Sequence, residues 1–176
     1  MGKRIGIVIP SSNVVIEPLA MQRSRVSKDT VHFSRLGVVN IGLTEESLVQ
    51  FEMREQLSAA QKLCDARVDA IVWGGTSSSW LGIERDEEYC NFIQQKTGTP
   101  TTTCVLEMNR KVASLGARRL AIVTPYTDDV HNQILDNYED LGFPRPIGQN
   151  FGGSVSNDFA SISSNILGDM IRNVAK

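Results

Sequence analysis

Short apolar runs alternate with longer amphipathic stretches along this chain, and several of the runs break into small polar loops. Arg4–Pro10 is β-branched and almost wholly apolar, as in a strand buried on both faces. It leads into Ser11-Ser12-Asn13 and a short helix near Val15–Arg23, with Pro18 in its first turn. Val31–Leu36 reads as the second strand. Thr44 then caps a long helix with Glu45 and Glu46 in its first turn. Leu48, Phe51, Leu57, Ala60 and Leu63 form that helix's apolar stripe, with a register drift across the middle turn. Val68–Trp73 is the third strand, running into Gly74-Gly75-Thr76-Ser77, and Ile83–Lys96 the next helix, ended by Gly98-Thr99-Pro100. Thr101–Cys104 starts another strand, and Val105–Leu115 a helix closed by Gly116. The pattern then restarts with strand Leu120–Thr124, loop Pro125-Tyr126-Thr127 and helix Asp128–Leu141, with Gly142 as its cap. A weak strand at Pro146–Phe151 and a last helix Phe159–Val174, opened by Asp158, complete the reading.

Strand and helix in alternation predict an α/β fold, a parallel sheet flanked by helices. The layout of Arg119–Tyr126 echoes Arg4–Asn13, which sets a boundary near Gly116. Residues 1–116 read as a first, Rossmann-like α/β domain, and 117–176 as part of a second similar one lacking its later strands. A second unit with so few strands is small for an independent sheet. The expectation is therefore either a C-terminally truncated polypeptide or a homo-oligomer whose partner completes the second sheet.

The formal charge of −2 over 176 residues offers no basic footprint for nucleic acid. No apolar run approaches the roughly 18 residues of a membrane span, and no signal-peptide core is visible, so no membrane partner and a cytoplasmic location are expected. Cys64, Cys90 and Cys104 are widely spaced without a CxxC, and His32 and His131 are the only histidines, which supports neither a disulfide framework nor a metal site. Cys64 and Cys90 read as buried structural thiols. Cys104 ends a strand with no His or Lys near it in sequence to lower its pKa. His131 reads as a solvent-facing helix residue.

The chemistry concentrates where three strands end. In an open parallel sheet, ligands bind beyond the carboxyl ends of strands. Pro10-Ser11-Ser12-Asn13, Gly74-Gly75-Thr76-Ser77 and Pro125-Tyr126-Thr127 offer hydroxyls, an amide, a phenol and backbone N–H groups, with no Lys, Arg, Asp or Glu. Such a set can grip a small anion through oriented dipoles and stabilise a developing oxyanion. Each loop also has a plainer reading: a flexible Gly/Ser turn before a helix, helix caps at Ser11, Ser12 or Asn13, and an exposed loop tyrosine at Tyr126. Asp128 and Asp129 polarise the helix they open. Neither GxGxxG nor GxxxxGK[ST] occurs in the loops, which argues against a nucleotide site.

Ile7-Val8-Ile9-Pro10-Ser11-Ser12-Asn13, Gly75-Thr76-Ser77, Gly116-Ala117-Arg118-Arg119-Leu120-Ala121 leading to Thr124-Pro125-Tyr126-Thr127-Asp128-Asp129-Val130, and Val155-Ser156-Asn157 stand in order along the chain. Together they resemble the maleate cis–trans isomerase and arylmalonate decarboxylase branch of the aspartate/glutamate racemase superfamily. The resemblance implies two similar α/β domains with the active site between them, no cofactor, and a small dicarboxylate, malonate- or maleate-like, as substrate. It implies carboxylate or oxyanion donors at Thr76, Ser77 and Tyr126, and substrate contacts at Asn13 and Asn157, with Pro10, Ser11, Ser12 and Gly75 in the binding loops. Family members work with one or two cysteines. The first would stand where this chain has Gly75, a glycine that resembles the decarboxylases, and the second would lie beyond the last helix. The function so implied is a cofactor-independent decarboxylase or cis–trans isomerase, inactive in this truncated form. The alternative is a non-catalytic carboxylate-binding or interaction module.

Overall fold

Four parallel strands, Arg4–Pro10 (β1), Thr30–Leu36 (β2), Ala70–Trp73 (β3) and Thr101–Thr103 (β4), pair in the order β2-β1-β3-β4 in the computed structural model, which describes residues 2–175. β1 is central, and Val8 and Ile9 are fully buried, as its unbroken apolar run requires. Helices Ile16–Ser24 (α1), Glu45–Val49 (α2), Met53–Asp65 (α3), Ser78–Leu81 (α4), Glu84–Thr97 (α5) and Cys104–Ser114 (α6) connect and flank these strands. Gly6 lets α3 lie close on the sheet: a Cβ there would sit 3.0 Å from Leu63 Cδ1 and 3.1 Å from Val68 Cγ2.

A second, separate sheet pairs Ala121–Tyr126 (β5) in parallel with Ile147–Gly153 (β6), joined by Asp128–Asp140 (α7). A 3-10 turn at Ser156–Ser161 and helix Ser164–Val174 (α8) follow. Val130, Ile134 and Tyr138 of α7 belong to the same buried apolar cluster as Ile71, Trp73 and Trp80, so one core runs beneath both sheets. The segment after β2 meets the segment after β6: Ile41 N–H donates to Ser154 O (2.8 Å), Ser156 N–H to Val39 O (3.0 Å), and Asn40 and Val155 form an antiparallel bridge. Among the described residues, no helix is long and apolar enough to cross a membrane.

Three elements differ from the sequence reading. The long helix opened by Thr44 is two helices, α2 and α3, and the register drift marks their junction. Gln50 closes α2 and is used elsewhere, its Oε1 accepting from Val39 N–H (2.8 Å) and its Nε2 donating to Asn40 O (2.9 Å). The Gly75–Ser77 loop is followed at once by the four-residue helix α4, too short for periodicity to reveal. The last helix begins later than expected and is capped by Ser163, whose Oγ accepts from Ile166 N–H, rather than by Asp158. The intervening 3-10 turn swings Phe159 back onto Tyr126, with ring centroids 5.5 Å apart.

Candidate functional site

Beyond the carboxyl ends of β1, β3 and β5 lies a cleft of about 230 Å³. Asn13, Gly74, Gly75, Thr76, Ser77, Tyr126 and Ser156 contribute its polar lining, and Phe51, Trp73, Trp80 and Phe159 its aromatic walls. The walls are linked edge to face, Phe51 to Trp80 at 6.2 Å and Trp80 to Tyr126 at 5.0 Å between centroids. Among the described residues, no Asp, Glu, Lys, Arg, His or Cys lines the cleft.

Local structure fixes each donor. Asn13 Oδ1 accepts from the N–H groups of Val15 (3.0 Å) and Ile16 (2.9 Å), capping α1 and leaving its NH₂ to donate. The Asn13 loop is also held from outside by Arg35, which no sequence signal revealed. Its Nη1 donates to Ser11 O (2.7 Å) and Asn13 O (3.1 Å), and its Nη2 pairs with Glu17 at 2.8 Å. Ser77 Oγ accepts from Trp73 Nε1 (3.1 Å), which leaves the serine proton for a ligand. Thr76 Oγ1 and Tyr126 Oη are 2.6 Å apart, joining the two sheets across the cleft. One proton is used in that bond and the other hydroxyl keeps its own. Burial pushes the Tyr126 phenol up to about 12, against a smaller lowering by the Thr76 bond, so it stays a donor at neutral pH. Behind the loop, the Cys104 thiol donates to Gly75 O (3.0 Å), and Ser79 Oγ to Thr76 O (2.6 Å).

Of the residues singled out from sequence, Asn13, Gly75, Thr76, Ser77 and Tyr126 share this cleft. The others do not line it. Pro10 is buried at the end of β1. The Ser11 and Ser12 hydroxyls turn back to Val38 O (3.4 and 2.7 Å). Asn157 Nδ2 donates to Ser12 O (3.2 Å), tying the 3-10 turn to the first loop, while its neighbour Ser156 lines the cleft. Tyr126 is the last residue of β5 rather than an exposed loop residue, and Cys104 is the first residue of α6 rather than the end of a strand. Burial, then the nearby Asp86 charge, pushes the Cys104 thiol up to about 12. Cys64 and Cys90 are only half-buried. His131 is buried, its Nδ1 2.9 Å from Thr124 Oγ1, because it shares the inward face of α7 with Ile134, Leu135 and Tyr138. The sequence reading did not single out Trp80, and it placed Phe159 at a helix start and Ser156 beside Asn157 without a role in the cleft, because the three sit on α4 and the 3-10 turn, short elements it did not resolve. Among the described residues, no group of three or more His, Cys, Asp or Glu is arranged to hold a metal ion.

The family model for arylmalonate decarboxylase matches residues 5–150, which takes in every loop of the cleft except the 3-10 turn. The chain belongs to the arylmalonate decarboxylase family. Within that family's wider kin, it is 27% identical over 146 residues to the maleate isomerase of Geobacillus stearothermophilus, covering 76% of this chain and 57% of that protein. The chain thus spans little more than half the length of that relative. The fold matches the maleate isomerase Iso of Pseudomonas putida S16, solved with maleate, at a TM-score of 0.85 and 23% identity over 98% of this chain and 72% of that one. It also matches the maleate cis–trans isomerase of Nocardia farcinica, solved with a covalent succinylcysteine intermediate, at a TM-score of 0.86 and 19% identity over 98% and 73%. A liganded cysteine-relocated variant of an arylmalonate decarboxylase matches at a TM-score of 0.81 and 20% identity over 98% and 72%.

Proposed function

We propose that this chain carries the carboxylate-gripping cleft of a cofactor-independent decarboxylase or cis–trans isomerase acting on a small malonate- or maleate-like dicarboxylate. The observation that carries this reading is the convergence of neutral donors from both sheets, with Thr76 Oγ1 and Tyr126 Oη 2.6 Å apart over a cleft that no charged side chain lines among the described residues. Neutral dipoles fixed before the reaction suit a charge that develops during it. When a malonate loses CO₂, the C–C bond breaks and its electron pair moves into the remaining carboxylate, giving an enediolate. Hydrogen bonds from Ser77 and from the one hydroxyl of the Thr76–Tyr126 pair that keeps its proton stabilise that dianionic oxygen pair more than the parent carboxylate. Each such donor is worth about 3 kcal/mol in a preorganised site.

Between the two activities, Gly75 favours decarboxylation. A Cβ at this position would lie 2.2 Å from Trp73 Cζ2, so the buried indole occupies the space a thiol on that side of the substrate would need. A thiol there is what an enzyme with two opposed cysteines requires. The aromatic walls of Phe51, Trp80 and Phe159 suit an aryl or alkenyl substituent on the malonate carbon.

A non-catalytic carboxylate-binding module is the second reading. What favours it is that none of the three cysteines lines the cleft, so the described residues supply the cradle and not the acid that returns a proton to carbon.

Calorimetric titration with malonate, phenylmalonate and maleate, followed by assay for CO₂ release and for fumarate, separates these outcomes. Binding should weaken about tenfold for Thr76→Ala and for Tyr126→Phe, the loss expected from removing one hydrogen bond to a charged group. A wild-type chain that binds none of the three, or variants that bind as tightly as wild type, would overturn the proposal. Binding without turnover would select the module.

A further inference from the structure

Asp86 is buried on α5 with 3% of its surface exposed, outside the cleft, and no cation pairs with it among the described residues. An unpaired buried carboxyl is costly, and burial accordingly raises its pKa. Its compensation comes from two hydroxyls on one oxygen: Ser78 Oγ donates to Oδ2 at 2.6 Å, and Thr103 Oγ1 donates to the same atom. Ser78 follows Ser77 directly. Thr103, fully buried, caps α6 by accepting from Leu106 N–H (3.1 Å) and is followed by Cys104, whose thiol holds Gly75 O. One carboxyl therefore anchors both ends of the Gly75–Ser77 loop, directly at Ser78 and through Thr103 and Cys104 at Gly75.

Those anchors set where the loop's N–H groups point. A trans peptide is planar, with its N–H directed opposite to its C=O. The Gly75 carbonyl is turned to Cys104 and the Thr76 carbonyl to Ser79 Oγ, away from the cleft, so the N–H groups of Thr76 and Ser77 face the other way. Among the described residues nothing accepts from either N–H. A pair of adjacent, unspent backbone donors beside a cleft is an anion cradle.

We propose that Asp86 is a positioning residue for that cradle, fixing the Gly75–Ser77 loop through Ser78 and Thr103 so that the Thr76 and Ser77 N–H groups converge on a bound carboxylate. The role presupposes the carboxylate-binding function proposed above. Asn in place of Asp86 keeps an oxygen able to accept both hydroxyls, whereas Ala leaves both unpaired.

The test uses the full ¹⁵N-labelled chain as wild type, Asp86→Asn, Asp86→Ala and Ser78→Ala. It reads the Thr76 and Ser77 amide resonances without ligand, and the malonate affinity of each variant. In Asp86→Ala both amides should shift and malonate binding weaken about tenfold, the scale of one charge-assisted hydrogen bond. Asp86→Asn should restore both readouts. If Asp86→Ala does not fold, Ser78→Ala, which cuts only the direct anchor, should move the Ser77 amide and weaken binding in the same direction. A merely structural role would lower the melting temperature while leaving loop amides and affinity as in wild type, and that result overturns the proposal, as does failure of Asn to restore them. If wild type binds no malonate, the carboxylate function fails on its own, and the ligand-free amide shifts still decide the role of Asp86.

Discussion

Gly75 and Trp73 show how tightly single residues constrain this site. Trp73 is 1% exposed and its Nε1 holds Ser77, so the ring cannot move aside for a side chain at Gly75. Gly75→Cys should therefore destabilise the fold by about 1–3 kcal/mol, the usual cost of overpacking a rigid core. Urea denaturation measures it, and a variant as stable as wild type would show that the indole yields. His131 carries a pH signature. Burial lowers its pKa below the ordinary 6.5, with the Asp128 charge opposing more weakly. A depressed base means the unfolded chain binds the proton first. Its contribution to stability is present above pH 6.5 and is lost as pH falls through the lowered folded value. Melting temperature should drop on acidification through this window, and His131→Asn should flatten that slope. Both residues were visible in the sequence, but neither role was. A histidine one turn into a helix does not disclose which face it occupies until the packing of Ile134 and Tyr138 does.

At the level of elements, β1 and β3 were legible because parallel strands buried between flanking helices need unbroken apolar runs, as in Arg4–Pro10 and Ala70–Trp73. The short helices were not, since α4 and the 3-10 turn are held by contacts from elsewhere in the chain. α4 is held by Asn137 Nδ2 on Ser79 O (2.9 Å), and the 3-10 turn by Asn157 on Ser12 O (3.2 Å). The start of α8 provides a direct check. Ser163→Ala should cost about 1 kcal/mol through loss of the cap, whereas Asp158→Ala should be nearly neutral. Equal effects in equilibrium unfolding would contradict this assignment. Because α4 spans four residues, its dipole adds little at the cleft, which leaves individual N–H and O–H donors as the groups that face an anion there.

Across the whole molecule, the amino-acid sequence by itself determined the α/β class and the strand-end loops, because periodicity and turn chemistry are local. It also determined the absence of charge among the loop residues that meet in the cleft, since composition needs no coordinates. The tertiary structure alone decided that Asn13, Thr76 and Tyr126 face one cavity, since they are brought together by sheet order and by the seam between residues 39–41 and 154–156. It also decided that Ser11, Ser12 and Asn157 buttress the site instead of lining it. Which way a polar side chain turns depends on the nearest unsatisfied partner, and here that partner lies 26 residues away for the Ser12 hydroxyl and 145 for the Asn157 amide. A linear pattern carries no information at such separations, whereas packing fixes them.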